Sequence, residues 1–251
     1  MMKLKRITRI GDEARGMKKL HIPTLVFSRM DSTRLPGKAL LDLNGAPVLG
    51  RVLARLEMSS EIDGIIVCTT TRSIDDPVAE FAIASDVQLI RGDTFDVMDR
   101  AKTAATETKA DAIVRISGDS PFIDPDLVDI MVSMHRKSPC DLTTNVHPRS
   151  FPPGMSVEVI NAETLGMLDR QPLSTADREH ITTYFYRHAD QFKINNHTAT
   201  TPSAEVDLAL DTKDNLIFQN WLAAQIPDDA NLSAILAAAR RYTDRPLKDA
   251  P

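Results

Sequence analysis

From residue 22 onward the apolar positions fall into two alternating rhythms. Short runs dense in Ile, Val and Leu at 22–27, 64–69, 87–90 and 111–116 read as buried strands. Between them, 47–57, 75–85, 95–108 and 125–136 carry apolar residues at helical spacing, and several open with Pro or Asp, which a first helical turn accepts. This alternation predicts βαβ units around a mostly parallel sheet: an α/β, Rossmann-like, doubly wound fold. After Cys140 the rhythm changes. The stretches 141–145, 156–160, 192–199 and 206–210 read as strands, 177–188 reads as a helix, and two helices close the chain. This mixed second half predicts antiparallel strands that extend or cover the binding crevice. There is no internal repeat or low-complexity tract.

Length and charge narrow the classes. A chain of 251 residues with 42% hydrophobic content builds one substantial core. We expect a leader at 1–20 and a single domain at 21–251, with halves at 21–140 and 141–251. The net charge of −5 argues against a general binder of nucleic acid or of a membrane surface, whose footprint would be basic. No apolar stretch approaches the roughly 20 residues of a membrane span, and the start lacks the apolar core of a signal peptide, so the cytoplasm is the expected location. Cys68 and Cys140 have no Cys or His at metal-ligand spacing and read as small structural residues of a reducing compartment. The first 19 residues are polar and basic (Lys3, Lys5, Arg6, Arg9, Arg15, Lys18, Lys19), which suits a flexible leader, and Met17 is a second candidate start.

Candidate chemistry concentrates directly after the first strand. The segment 28–38, Ser-Arg-Met-Asp-Ser-Thr-Arg-Leu-Pro-Gly-Lys, packs three cations and three hydroxyls into eleven residues. On a helix, at about 100° per residue, Arg29, Arg34 and Lys38 would point to different faces. Pro36 and Gly37 oppose a helix in any case, so a loop is expected. In a loop the three cations can converge on one anion, with Ser28, Ser32, Thr33 and free backbone amides as further donors, which suits a triphosphate. The glycine patterns of Walker and dinucleotide-binding loops are both absent. Spacing alone leaves a solvated basic turn open, although the end of the first strand is where open sheets bind ligands.

The same segment resembles the signature loop of the cytidylyltransferases that make CMP-activated sugar acids, especially the spore-coat-polysaccharide type and the related CMP-ketodeoxyoctulosonate and acylneuraminate enzymes. The resemblance continues, in order, through 42–47 (Asp-Leu-Asn-Gly-Ala-Pro), 115–121 (Arg-Ile-Ser-Gly-Asp-Ser-Pro), 151–159 (Phe-Pro-Pro-Gly-Met-Ser-Val-Glu-Val), 177–182 (Asp-Arg-Glu-His-Ile-Thr) and 210–216 (Leu-Asp-Thr-Lys-Asp-Asn-Leu). It implies a fold of the nucleotide-diphospho-sugar transferase type. It also implies transfer of CMP from CTP to a sugar acid or similar small acidic acceptor with release of pyrophosphate, in cell-surface polysaccharide or glycan biosynthesis. Under this resemblance 21–140 is the nucleotide-binding half, and 141–251 is the acceptor-binding and possible dimerisation half of a homodimer.

Carried over by position, the resemblance makes Arg29 and Lys38 the catalytic cations. Ser28, Arg29, Asp31, Ser32, Thr33, Arg34, Lys38 and Asp119 become the nucleotide-binding set, and Asp119 and Asp211 the ligands of Mg2+. Two carboxylates completed by phosphate oxygens and water suit that hard ion. Asp211 is placed at the end of the strand 206–210; without the resemblance, a helix N-cap serves equally well. Acceptor binding falls to Arg149, Glu158, Glu179 and His180. The residues alone also allow a surface arginine, a strand-edge glutamate, a helix-start glutamate and a packed histidine.

Three positions depart from the family pattern. Asp31 and Pro153 stand where Gly and Asp are expected, and Ser156 where a second Asp is. The first adds a negative charge beside a triphosphate. Alternative readings are a nucleotidyltransferase with another base or acceptor, a nucleotide-sugar-dependent glycosyltransferase, and a degenerate nucleotide-binding protein without activity.

Overall fold

In the computed structural model, residues 19–138 and 140–243 are described. The leader expected at 1–20 and the two candidate starts therefore lie outside them, except for Lys19 and Leu20. Leu20 packs against the core, and its carbonyl accepts from Arg136 at 3.2 Å.

In chain order the elements are β1 (Thr24–Phe27), a 3-10 turn (Lys38–Leu40), β2 (Asp42–Leu43), β3 (Ala46–Pro47), α1 (Val48–Glu57) and β4 (Ile65–Thr70). Next come α2 (Asp76–Ala84), β5 (Gln88–Gly92), α3 (Val97–Thr108), β6 (Ala112–Ser117), α4 (Pro125–Lys137) and β7 (Leu142–Thr144). The chain continues with β8 (Glu158–Asn161), α5 (Ala162–Leu168), α6 (Thr175–Glu179), α7 (Ile181–Arg187), β9 (Ile194–Asn196), α8 (Lys213–Ala223) and α9 (Leu232–Thr243). The four strands and four helices expected before Cys140 all form, each within two residues of its expected ends.

One seven-stranded sheet carries the fold, in the order β5-β4-β1-β6-β8-β7-β9. The first four strands are parallel. β8 enters antiparallel to both β6 and β7, and β9 runs parallel to β7. The expected mixed second half is thus one inserted antiparallel strand. From β1 the chain builds outward to β4 and β5 and then returns to β6 on the other side, so the strand order reverses at the β1/β6 crevice, where doubly wound sheets bind ligands.

The two faces of the sheet explain the apolar strand runs. Val26, Val67 and Val114 pack on one side with Leu49, Val52, Val128 and Met131. Their neighbours in sequence, Leu25, Ile66 and Ile113, pack on the other side with Met98, Ala101, Leu165 and Phe185. The period of two sorts every strand between two buried layers. Cys68 and Cys140 are buried and free, and burial raises the Cys68 thiol to about 12.

Three expectations in the second half are corrected. The stretch 206–210 is not a strand. Leu208 and Leu210 are fully buried, but their amides bond singly, to the Pro153 carbonyl (2.9 Å) and the Asp119 carbonyl (2.9 Å). The apolar alternation is therefore real, while no neighbouring strand offers a ladder. The helix expected at 177–188 starts earlier, with Ser174 and Asp177 forming a capping box. It breaks at His180, whose backbone (φ −114°, ψ 65°) is not helical. Finally, the segment 192–199 forms a strand only at Ile194–Asn196.

Candidate active site

The loop after β1 is tied to the fold by its backbone, with Thr33, Arg34 and Pro36 left exposed. The Ser28 amide bonds the Cys68 carbonyl (3.1 Å), that of Met30 the Asp75 carboxylate (2.7 Å), and that of Gly37 the Met30 carbonyl (2.8 Å). Leu35 plugs the loop into the core, and Gly37 supplies the left-handed turn (φ 74°) that starts the Lys38–Leu40 turn. Gly118, at the end of β6, is required by close packing. A Cβ there would lie 2.7 Å from that of Ser28 and 3.0 Å from the Phe27 carbonyl.

Asp75 anchors this arrangement from β4's end. It is fully buried and accepts from the Met30 amide, the Thr70 hydroxyl and Arg72. Burial opposes its ionisation, but these bonds, the Met30 amide's foremost, hold its pKa below the usual carboxylate value.

A cleft of about 380 Å³ opens over the β1/β6 crevice. It brings together Ser28, Arg29, Asp31, Ser32, Thr33, Arg34, Lys38, Asp119, Glu179, His180 and Asp211 from the expected set. At its centre the half-buried Lys38 ammonium donates to Asp119 Oδ2 (2.6 Å), Asp211 Oδ1 (2.9 Å) and the Leu210 carbonyl (3.0 Å). Arg34 meets the second oxygen of Asp211 at 3.1 Å. Asp211 is not the helix cap: Thr212 caps α8 in a box with Asn215, which leaves the Asp211 carboxylate to the cleft. One ammonium thus bridges two carboxylates 92 residues apart.

Asp119 and Asp211 fit a magnesium ion in their chemistry: both are hard oxygen donors, and both remain partly exposed, at 20% and 34%. Among the described residues no group of three or more His, Cys, Asp or Glu gathers to hold a metal.

The charge of Asp31 is matched by two arginines. Arg29 lies 3.2 Å from one carboxylate oxygen and Arg72 2.6 Å from the other, while Arg29 also binds Glu179 at 3.0 Å. Arg72 is itself held by Asp75. The break between α6 and α7 puts Glu179 and the exposed His180 at the cleft's lip.

Two expected acceptor residues stand elsewhere. Arg149 is exposed and lies outside the cleft lining; it donates to Ser156 Oγ (3.1 Å) and the Pro152 carbonyl (3.4 Å) within its own loop. Glu158 is 2% exposed and stands behind the wall, binding Arg115 at 2.6 Å and accepting from the Tyr186 hydroxyl. Burial, and then the charge of Glu158, raise the Tyr186 pKa.

Three arginines were not among the expected site residues: Arg72, Arg100 and Arg115, the last of which opens the 115–121 motif. The latter two line the cleft. Arg100 carries a legible signal, because it lies in the apolar stripe of α3 with Val97, Ala101 and Ala104. Burial, and then the nearby Arg29 charge, push its pKa below the ordinary arginine value. Arg72 has a local partner in Asp75, three residues on, but its pairing with Asp31, 41 residues away, leaves no pattern in the sequence.

The sequence profile of a family described as Cytidylyltransferase matches residues 24–217. The spore coat polysaccharide biosynthesis protein SpsF of Bacillus subtilis is 30% identical over 198 residues, covering 76% of this chain and 81% of its own. A 3-deoxy-manno-octulosonate cytidylyltransferase of Chlorobium limicola is 26% identical, covering 74% and 79%. The solved structure of a cytidylyltransferase from Leptospira borgpetersenii superposes with a TM-score of 0.85 at 28% identity, covering 90% and 96%.

Proposed function

This chain belongs to the cytidylyltransferase family, and from that premise we infer that its cleft transfers CMP from CTP to a small sugar acid for polysaccharide or glycan biosynthesis. The observation that carries this reading is the Lys38 ammonium bridging Asp119 and Asp211 beside Arg34, at the crevice where the strand order reverses. An acceptor hydroxyl attacks the α-phosphorus of CTP. The new acceptor O–P bond forms as the bond to the β-phosphate oxygen breaks, the hydroxyl proton passes to solvent, and pyrophosphate leaves.

Lys38, Arg29 and Arg34 are the fixed cations for the phosphoryl oxygens and the departing charge, with Ser28, Ser32 and Thr33 as neutral donors. Asp119 and Asp211 would hold magnesium, which when bound supplies charge neutralisation along the phosphates. Lys38, which lies against both carboxylates, is the cation best placed to meet phosphate beside them. Glu179 and His180, at the lip, face an incoming acceptor. Asp31 does not block the triphosphate, because Arg29 and Arg72 already balance its charge. We place the reaction in the cytoplasm, where CTP is made, and expect a homodimer; among the described residues no helix is long and apolar enough to cross a membrane.

The test is a calorimetric titration with CTP, UTP, GTP and ATP, each with and without magnesium, followed by pyrophosphate detection against a panel of sugar acids. Selective, magnesium-strengthened CTP binding is the expected result. Absence of binding by every nucleotide would sink the reading. Sedimentation at micromolar concentration reads the oligomeric state, and a monomer there would remove the dimer.

A further inference from the structure

The acids of the cleft are all met by cations. Asp31 faces Arg29 and Arg72, Asp119 faces Lys38, Asp211 faces Lys38 and Arg34, and Glu179 faces Arg29. The cations of the cleft wall are matched less completely. Arg100 is 3% exposed, yet among the described residues its guanidinium has no hydrogen-bond or ion-pair partner, and its Nε is buried without an acceptor. Arg115 commits one terminal nitrogen to Glu158, and its Nε is likewise buried without an acceptor.

A guanidinium nitrogen buried without an acceptor is costly, and an anion at the guanidinium relieves that cost more fully than a neutral carbonyl, because it adds charge attraction to the hydrogen bonds. Both side chains are held in place before any ligand arrives. The stem of Arg100 packs so closely on Gly92 that a Cβ there would come within 2.6 Å of its Cγ, and its head lies 6.0 Å from the centre of the Phe27 ring. Arg115 is fixed by Glu158, which Tyr186 holds in turn. Such preorganised forks suit a planar oxyanion.

We propose that Arg100 and Arg115 form an anion seat in the cleft wall, which takes the acidic group of the acceptor. This rests on the nucleotidyl transfer inferred above. The loop already offers Arg29, Arg34 and Lys38 to the phosphates, whereas Arg115 is tied through Glu158 to β8, the strand that begins the second half's share of the sheet. The seat also gives the acceptor's acid a receiving group that Arg149, outside the cleft, does not supply.

The test fills the loop first. The protein is saturated with CTP and magnesium and then titrated by calorimetry with pyruvate, as a carboxylate, and with inorganic phosphate. At least one probe should saturate. Arg100→Met, which keeps the packing on Gly92, should weaken that probe at least about tenfold while CTP affinity moves less than about twofold. Arg100→Lys should retain part of the binding, and Arg115→Met should weaken the same probe. The seat is overturned if neither probe saturates on the wild type, or if Arg100→Met weakens CTP as much as the probe, which would make Arg100 a nucleotide residue. Failure of the wild type to bind CTP would instead remove the transfer reading. The same titration without CTP then judges the seat by its dependence on Arg100.

Discussion

At the ends of β1 and β6, charged side chains cross the cleft to partners far away in the chain, with Lys38 reaching Asp211 173 residues on. In the loop after β7 they turn back on their neighbours, and Arg149 reaches only Pro152 and Ser156, three and seven residues away. The first arrangement follows from topology: parallel strands deliver their carboxyl ends, and whatever follows them, to one edge of the sheet. The second follows from the antiparallel insertion of β8, which makes the 144–158 segment a reversal between paired strands, where the Arg149 side chain finds acceptors within its own turn. Polar residues of similar appearance in the sequence thus serve different ends.

Breaking the long-range side of this comparison should have the largest effect. Lys38→Ala is expected to lower turnover by about 100- to 1,000-fold, as loss of a preorganised charge contact does. Pyrophosphate release measures it, with the melting temperature as the control for folding. Asp119→Asn should lose turnover together with its magnesium dependence; an active variant with unchanged magnesium dependence would end the metal assignment.

The next test sets two expected acceptor residues against each other. Glu158→Ala removes the carboxylate from a nearly buried pair and should cost about 3 kcal/mol by denaturant unfolding. Arg149→Ala should cost no more than about 0.5 kcal/mol. Equal costs would show that burial does not separate the two residues as their contacts suggest.

The join between the halves should also respond to pH. His135 of α4 is 2% exposed and bonds Thr143 of β7 at 3.0 Å, next to Cys140. Burial, and then the Arg136 charge, lower its pKa to about 4 from the ordinary 6.5. The unfolded chain therefore takes up a proton from about pH 6.5 downward while the folded chain does not. Stability from this residue is present above pH 6.5 and is lost as the pH falls towards about 4, by up to about 3 kcal/mol. Melting curves across that window, compared with His135→Gln, measure it; a variant with the same pH slope would remove His135 as the cause.

The smallest effect on the cleft is expected at Asp31, whose charge is already balanced. Asp31→Gly should change CTP affinity by less than about tenfold, since it removes one carboxylate and frees two partly exposed arginines. A larger change would show that Asp31 contacts the nucleotide directly.

The sequence by itself determined the elements of the first half and the loop that carries the cations. Strand runs such as 64–69 and helix stripes such as 125–136 are local patterns, and the period of two or 3.6 residues needs no knowledge of the partner. Gly37 and Pro36 marked the loop for the same reason. Only the tertiary structure decided which charges meet. The apolar alternation at 206–210 is genuine, yet whether it becomes a strand depends on a neighbour, and here single bonds to Pro153 and Asp119 take the place of a ladder. Glu158 behind the wall, Arg149 outside the cleft, Arg72 on Asp31 and the buried Nε of Arg100, unpaired among the described residues, are likewise outcomes of what packs beside each group. Ion pairing and desolvation are set by distances across the fold, and a linear sequence does not contain them.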